Sequence, residues 1–192
     1  APAASGYTPE RIAPFYKSMV QRLGSEPGVQ SVAFANMGLL EGNEWDSTVT
    51  VEGYQTQQGE FVNPYCNSIS PGYFKTLGMP VLAGRDFDAR DTTASPQVVV
   101  INRTVAARFF AGENRIGQKV LVWKDEKTPR EIVGVVGDLK SDDLTAAAGA
   151  EMFVPDTQAE VGDMTLVVRT DGAPAASAAA VKAAVEGLDR TQ

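Results

Sequence analysis

Apolar side chains at Ile12, Phe15, Tyr16, Met19, Val20 and Leu23 recur at steps of three and four, the spacing that stacks them on one face of an amphipathic helix. Thr8-Pro9-Glu10 offers an N-cap, a first-turn proline and an acid that suits the helix dipole. Pro14 would forfeit an interior hydrogen bond, which predicts that the regular helix starts nearer Ala13. Gly24 ends it, and Glu26-Pro27-Gly28 turns the chain. Strands are predicted over Val29 to Ala35, over Thr48 to Glu52 with Val49 and Val51 on one face, and over Tyr65 to Ser70. Between the first two, Gly38 to Asp46 reads as a loop carrying Trp45.

Pro71-Gly72 leads into a short helix bearing Tyr73, Phe74 and Leu77, stopped by Gly78 with Pro80 just after. Val98-Val99-Val100-Ile101 is too short for a helix and apolar at every position, the pattern of a strand buried on both faces. Asn102 is placed to cap a helix over Arg103 to Phe110, with Gly112 closing it. Lys119 to Trp123 and Glu131 to Val136 flank a polar turn and read as a hairpin. Lys140 to Ala150 is polar, alanine-rich and without a strong period, the pattern of a link. Strands at Met152 to Pro155 and Met164 to Arg169 follow, then a helix from Pro174 with Ala178, Val181, Val185 and Leu188 on one stripe. The first and last thirds thus resemble each other around a mixed centre. The pattern predicts an α+β fold of two subdomains, the outer one discontinuous.

Composition narrows the chemistry. With 43 % hydrophobic and 21 % charged residues in 192, the chain is apolar enough to bury a core rather than remain disordered. Its formal charge of -7 repels a phosphate backbone, so no nucleic-acid partner is expected. The absence of histidine removes the Ser-His-Asp and Cys-His dyads and every His-containing metal site. The single cysteine, Cys66, excludes an internal disulfide and multi-thiolate metal sites, and reads as a small packing residue. No apolar run reaches the roughly 20 residues that span a bilayer. The abrupt start, without an initiator Met, and the end directly after a helical pattern lead us to expect a segment of a longer protein.

Few motifs carry chemistry. Gly112 to Gly117 has phosphate-loop glycine spacing, but Gln118-Lys119-Val120 follows where Lys and Ser or Thr are needed, and the stretch enters a strand rather than a helix. Arg85 to Asp91 holds three carboxylates, yet Arg90 stands where a calcium loop needs an acid, so a solvated turn with local Arg-Asp pairing is the better account. Asp138, Asp142 and Asp143 lie just past a predicted strand end, where α/β enzymes often place catalytic acids. Asn102-Arg103-Thr104 matches a glycosylation sequon, but its position favours helix capping. Trp45 is the candidate partner contact.

The segment Ser70-Pro71-Gly72-Tyr73-Phe74-Lys75-Thr76-Leu77-Gly78-Met79-Pro80-Val81-Leu82-Ala83-Gly84-Arg85-Asp86-Phe87 resembles the extracytoplasmic core domain of MacB-type ABC transporter permeases. The resemblance continues through Val98 to Asn102, Arg108-Phe109-Phe110, Ile116-Gly117, Ile132-Val133-Gly134-Val135-Val136-Gly137-Asp138, Pro27 to Val32 and Leu166 to Arg169, nearly the whole chain. Its wording is closest to the duplicated MacB/FtsX-like permeases abundant in Acidobacteria. The resemblance implies a domain inserted between the first two transmembrane helices of an inner-membrane permease and facing the periplasm. It implies a Porter-like βαβ subdomain, residues 1–69 plus 151–192, and an inserted Sabre-like subdomain, residues 70–150. A Porter unit should open with a full strand, of which only Ala1 to Ser5 remain here, so a sheet edge is expected to be missing or frayed. Pro71, Gly72, Tyr73, Phe74, Gly78, Gly84, Arg85, Gly134 and Gly137 have a reading as shape-building residues.

The leading expectation is a non-enzymatic domain without its own cofactor. ATP would be hydrolysed on a separate cytoplasmic nucleotide-binding domain, and the motion would reach this domain through the flanking helices. A second permease copy or duplicated half, the ATPase subunit, and a periplasmic adaptor or lipoprotein are the implied partners. Two other classes stay open: a carboxylate-dependent hydrolase using Asp138, Asp142 or Asp143, and a free-standing solute-binding or adaptor module.

Overall fold

The computed structural model describes residues 7–39, 49–51, 54, 63–110, 115–122, 127–140, 145, 147–159 and 162–188. Helix α1 (Pro9–Gly24) runs through Pro14, which corrects the expected start near Ala13. Pro9 occupies the first turn, and the Thr8 carbonyl accepts from the N–H groups of Arg11 and Ile12, so the helix nucleates ahead of Pro14. Ile12, Phe15, Tyr16, Met19 and Leu23 bury one face, and their packing outweighs the hydrogen bond that Pro14 cannot make.

Strands β1 (Val29–Ala35), β2 (Thr50–Val51) and β3 (Tyr65–Ile69) follow, then α2 (Tyr73–Leu77), β4 (Val81–Gly84), β5 (Val98–Asn102) and α3 (Arg103–Phe109). The chain continues through β6 (Lys119–Leu121), β7 (Arg130–Val136), β8 (Glu151–Pro155), a 3₁₀ turn at Asp156–Gln158, β9 (Thr165–Thr170) and α4 (Pro174–Leu188). The nine strands form one mixed sheet in the order β2-β6-β7-β5-β8-β3-β1-β9, with β4 paired to β7. The predicted hairpin is present as the antiparallel β6 and β7. The parallel pairs are β3 with β8 and β5 with β7. Strand β8 joins the middle of the chain to its ends, pairing with β3 on one side and with β5 on the other, where Val100 faces Phe153 and Ile101 faces Met152.

The run Val98 to Ile101 is buried throughout because the sheet is covered on both faces there. Val99 and Ile101 enter a cluster with Val105, Phe109, Ile132 and Met152, whereas Val98 and Val100 enter one with Tyr73, Phe74, Phe87 and Phe153. The two-residue period of the strand thus sorts consecutive apolar residues into two cores. Strand β1 does the same: Ala33 and Ala35 face α2, and Val32 and Phe34 face a third cluster built with α1. That third core draws Val181, Ala184 and Val185 from α4.

Several sequence expectations change. Ala178 is exposed and Ala184 takes the buried place on α4, because the helix is alanine-rich and its own pattern barely sets its rotation. The predicted strand over Thr48 to Glu52 is described only as Thr50–Val51; Thr48 and Glu52 lie outside the described residues, as do Ala1 to Ser5 and Gly112. Strand β4 was not predicted: three apolar residues between Pro80 and Gly84 read as bends. Among the described residues, no helix is long and apolar enough to cross a membrane.

Candidate functional site

The segment 70–91 is built to hold a shape. Gly72, at φ 86°, precedes α2, and Gly78, at φ 74°, ends it, both in the left-handed region that glycine enters without strain. Tyr73 and Phe74 are buried in the core, with Phe74 edge-on to Phe153 at 5.0 Å between ring centres. Arg169 of β9 donates from Nε to the Thr76 carbonyl at 2.7 Å and ties α2 to the opposite end of the chain.

Strand β4 then crosses close to β7. An ideal Cβ on Gly84 would lie 2.1 Å from the Val133 carbonyl oxygen, and one on Gly134 would lie 2.2 Å from the Arg85 carbonyl oxygen. Pro80 packs where a Cβ on Gly137 would fall, 3.0 Å from its Cδ. Arg85 next closes the loop: its Nη1 and Nη2 donate to Oδ2 and Oδ1 of Asp91 at 2.7 Å each. Asp91 is only 4 % exposed, so the expected solvated turn is corrected here. Burial alone would raise the Asp91 carboxyl, but the Arg85 fork and the Asp88 N–H outweigh it and hold the group below the usual carboxylate range. The surface pair Arg90 and Asp88 does match local pairing in solvent.

Of the acids singled out for catalysis, Asp138 is the one that falls among the described residues. Asp138 accepts from Arg103 Nε at 3.0 Å on Oδ2 and from the Thr104 N–H at 2.9 Å on Oδ1, so both oxygens serve the start of α3. Asn102 completes that start. Its Oδ1 accepts from the N–H groups of Val105 and Glu151, and its Nδ2 donates to the Gly149 carbonyl, a buried capping role rather than a glycosylation site. Asp142, Asp143 and Trp45 lie outside the described residues. Among the described residues, no group of three or more Cys, Asp or Glu could hold a metal ion. Cys66 is buried on β3.

Asp156 stands apart from these acids. Its Oδ1 is buried with no hydrogen-bond partner, and desolvation pushes its pKa up to about 6 despite the Thr157 N–H. The unfolded chain releases this proton near the ordinary 3.8 and the folded chain near 6, so the folded state binds more protons in between and stability falls as pH rises through that window. We expect Asp156→Asn to be more stable than the parent at pH 8, by on the order of 1–3 kcal/mol, and to lose that advantage at pH 3.5. Urea titrations at the two pH values check this.

A concave surface lies beside β4. Val81 and Leu82 are 42 % and 51 % exposed, and a groove of about 320 Å³ is lined by Leu82, Ala83, Ala106, Ala107, Ile116 and Val135, with Arg103 and Arg115 at its side. Sequence reasoning missed it, because its wall comes from β4, α3 and the turn before β6. The one available signal was the short apolar run Val81-Leu82-Ala83.

The sequence model of the MacB-like periplasmic core domain matches residues 4–188. The macrolide export ATP-binding/permease protein MacB of Hahella chejuensis is 26 % identical over 132 residues, which cover 66 % of this chain and 20 % of that protein. The corresponding protein of Burkholderia cenocepacia is 26 % identical over 163 residues, 78 % of this chain and 23 % of that protein. The chain therefore spans about a fifth of the length of these relatives. In fold it is similar to the periplasmic region of MacB from Actinobacillus actinomycetemcomitans, with a TM-score of 0.62, 20 % identity, and coverage of 90 % of this chain and 73 % of that one. It is also similar to the extracellular domain of the ABC-type transporter YknZ from Gram-positive bacteria, with a TM-score of 0.60, 20 % identity, and coverage of 91 % and 82 %. With the match running from the first helix to the last, this chain belongs to the MacB-like periplasmic core domain family.

Proposed function

We propose that this chain is the extracytoplasmic domain of a MacB-type ABC transporter permease and that it works as a non-catalytic lever. ATP is hydrolysed on a cytoplasmic ATPase subunit, flanking transmembrane helices carry the displacement, and the domain delivers it to a periplasmic substrate, adaptor or lipoprotein by moving against a second copy or a duplicated half. The chain itself holds no cofactor. The observation that carries the reading is the family match over residues 4–188.

The geometry is consistent with a lever. Among the described residues, the core that packs α1, β1, β9 and α4 draws on residues 7–34 and 164–185, which supports a discontinuous outer, Porter-like body of residues 1–69 and 151–192. The 70–150 insertion, Sabre-like in this reading, joins that body through the β5–β8 ladder. A force entering at the ends of the chain is then passed on through backbone hydrogen bonds and shared packing rather than absorbed by a flexible link. Both oxygens of the Asp138 carboxylate are engaged at the start of α3.

The test is made in the intact, reconstituted permease. Lys17 is exposed on α1, and Cys66 is buried, so a spin label on Lys17→Cys reports the distance between the two copies. Trapping with ATP and vanadate is expected to shift the distance distribution by several ångströms, on the scale of domain motions. An unchanged distribution in a transport-competent permease overturns the lever. A parent protein without membrane anchors overturns the assignment as a whole.

A further inference from the structure

We propose that the groove beside β4 is a docking site for one extended segment of a partner protein, apolar at alternate positions and acidic between them, which adds to the sheet as a strand along β4. The proposal goes beyond the permease role and does not depend on it.

The first observation is a strand edge that no described strand occupies. Strand β7 is paired with β5 along one side, and on its other side β6 takes the first half and β4 the second. Beyond β6 lies β2, whereas among the described residues β4 pairs with β7 alone. An edge with an unused row of backbone donors and acceptors is a template for a further strand. Strand β4 is short and carries a register irregularity between Val81 and Ala83, two features that limit edge pairing, yet it presents Val81 and Leu82, two of the three large apolar residues that are exposed among the described ones.

The second observation is charge. Arg115 is anchored by one bond, Nε to the Ala106 carbonyl at 3.2 Å, and makes no ion pair with any described carboxylate. Among the described residues its two terminal amino groups meet no acceptor, and the side chain lines the groove. Arg103 stands on the same wall, with its Nε already on Asp138. Two guanidinium groups beside an apolar floor select for carboxylates, which Arg binds in a planar fork, a local attraction that acts against the chain's formal charge of -7.

The same two observations choose among occupants. A second copy of this chain, docked β4 against β4, would bring the arginine pairs of both copies together and is disfavoured by like charge. An anionic amphiphile could use the arginines and the apolar floor but has no use for the backbone edge. An extended acidic peptide uses all three.

The test takes the chain as it stands, with a fluorescein-labelled eight-residue peptide of alternating valine and glutamate as the probe. Saturable binding is expected, with slowed amide exchange in β4. Binding is expected to fall by about tenfold or more on Leu82→Asp, on Arg115→Glu, on replacing glutamate by lysine in the peptide, and on N-methylating the peptide backbone. Leu82 is half exposed, so its substitution leaves the core intact, and circular dichroism confirms folding. The proposal is overturned by an absence of binding, by equal binding of the lysine or N-methylated peptides, or by variants that bind as the parent does. It is equally overturned if dodecanoate binds the groove and the peptide does not, or if the chain dimerises in a way that Leu82→Asp abolishes. Each outcome leaves the distance measurement in the intact permease untouched, so the two readings fail separately.

Discussion

Replacing Arg85 by alanine is expected to destabilise the chain by about 3 kcal/mol at neutral pH, because it leaves the carboxylate of Asp91 buried without its counter-charge. The size follows from the asymmetry of the pair. Asp91 is almost wholly buried, whereas about a third of the Arg85 side chain reaches solvent, so the value is placed at the low end for a buried pair broken on one side. Losing the guanidinium removes two short charge-assisted bonds and the Arg85 Nη1 contact to the Asp86 carbonyl together. Lysine restores the charge but not the fork, and is expected to recover only part of the loss.

The pH dependence separates this account from a simple packing defect. The depressed Asp91 pKa in the parent contributes stability that is present above the ordinary carboxylate value and is lost as pH falls through the folded one. In the variant, burial acts alone and favours the protonated acid. The gap between parent and Arg85→Ala should therefore narrow from pH 7 to pH 3.5 in urea titrations. Adding Asp91→Asn to the variant should return part of the loss at pH 7, with the double-mutant cycle giving the coupling. A gap independent of pH would show that the ion pair is not what holds the loop.

Gly84→Ala is expected to be the most damaging methyl group that can be added to this chain among the described positions. Gly84 sits at φ 69°, and its Cβ would fall 2.1 Å from a backbone oxygen and 3.0 Å from the Gly134 Cα. Neither neighbour is a side chain that can swing away, so β4 must separate from β7. We expect a loss of at least about 3 kcal/mol, above the usual range for an added core methylene, and a similar loss for Gly134→Ala, where the obstacle is the Arg85 carbonyl. Gly28→Ala is the control. Its φ is 82° but nothing lies within 4 Å of the added atom, so it carries only the left-handed strain of about 1–2 kcal/mol. Thermal melts of the three variants give the order; equal losses at Gly28 and Gly84 would mean that strand contact has no part in the effect. Because Gly84→Ala would also displace β4, it should abolish peptide capture in the groove, which Gly28→Ala should leave intact.

The amphipathic period of α1, the buried run of β5, the Asn102 cap and the hairpin of β6 and β7 were all legible in order along the chain. Each is decided within a few residues, by a repeat of 3.6 or 2 or by a side chain that reaches its own backbone. Where the local signal was weak or conflicting, reading failed. Pro14 moved the predicted start of α1 to near Ala13, whereas burial of Ile12, Phe15, Tyr16 and Met19 sustains the helix from Pro9. In α4, alanine on every side leaves rotation to the contacts of Val181, Ala184 and Val185 with the core. Asp91 looked like a solvated acid because its partner geometry and burial depend on how the whole loop folds back.

The family resemblance, and the absence of a histidine or multi-thiolate site, were carried by residue identity alone. The sheet order was not. Strand β8 lies between β3 and β5, neither its neighbour in sequence, and such pairings are set by which apolar faces can be buried together. The groove beside β4 is likewise a tertiary property, since its walls are contributed by residues 82 to 135, brought together where β6 and β4 share one edge of β7. Local patterns specify elements through short-range sterics and hydrogen bonding; an edge, a cavity or a buried ion pair arises from the relative placement of those elements, which only the packed chain defines.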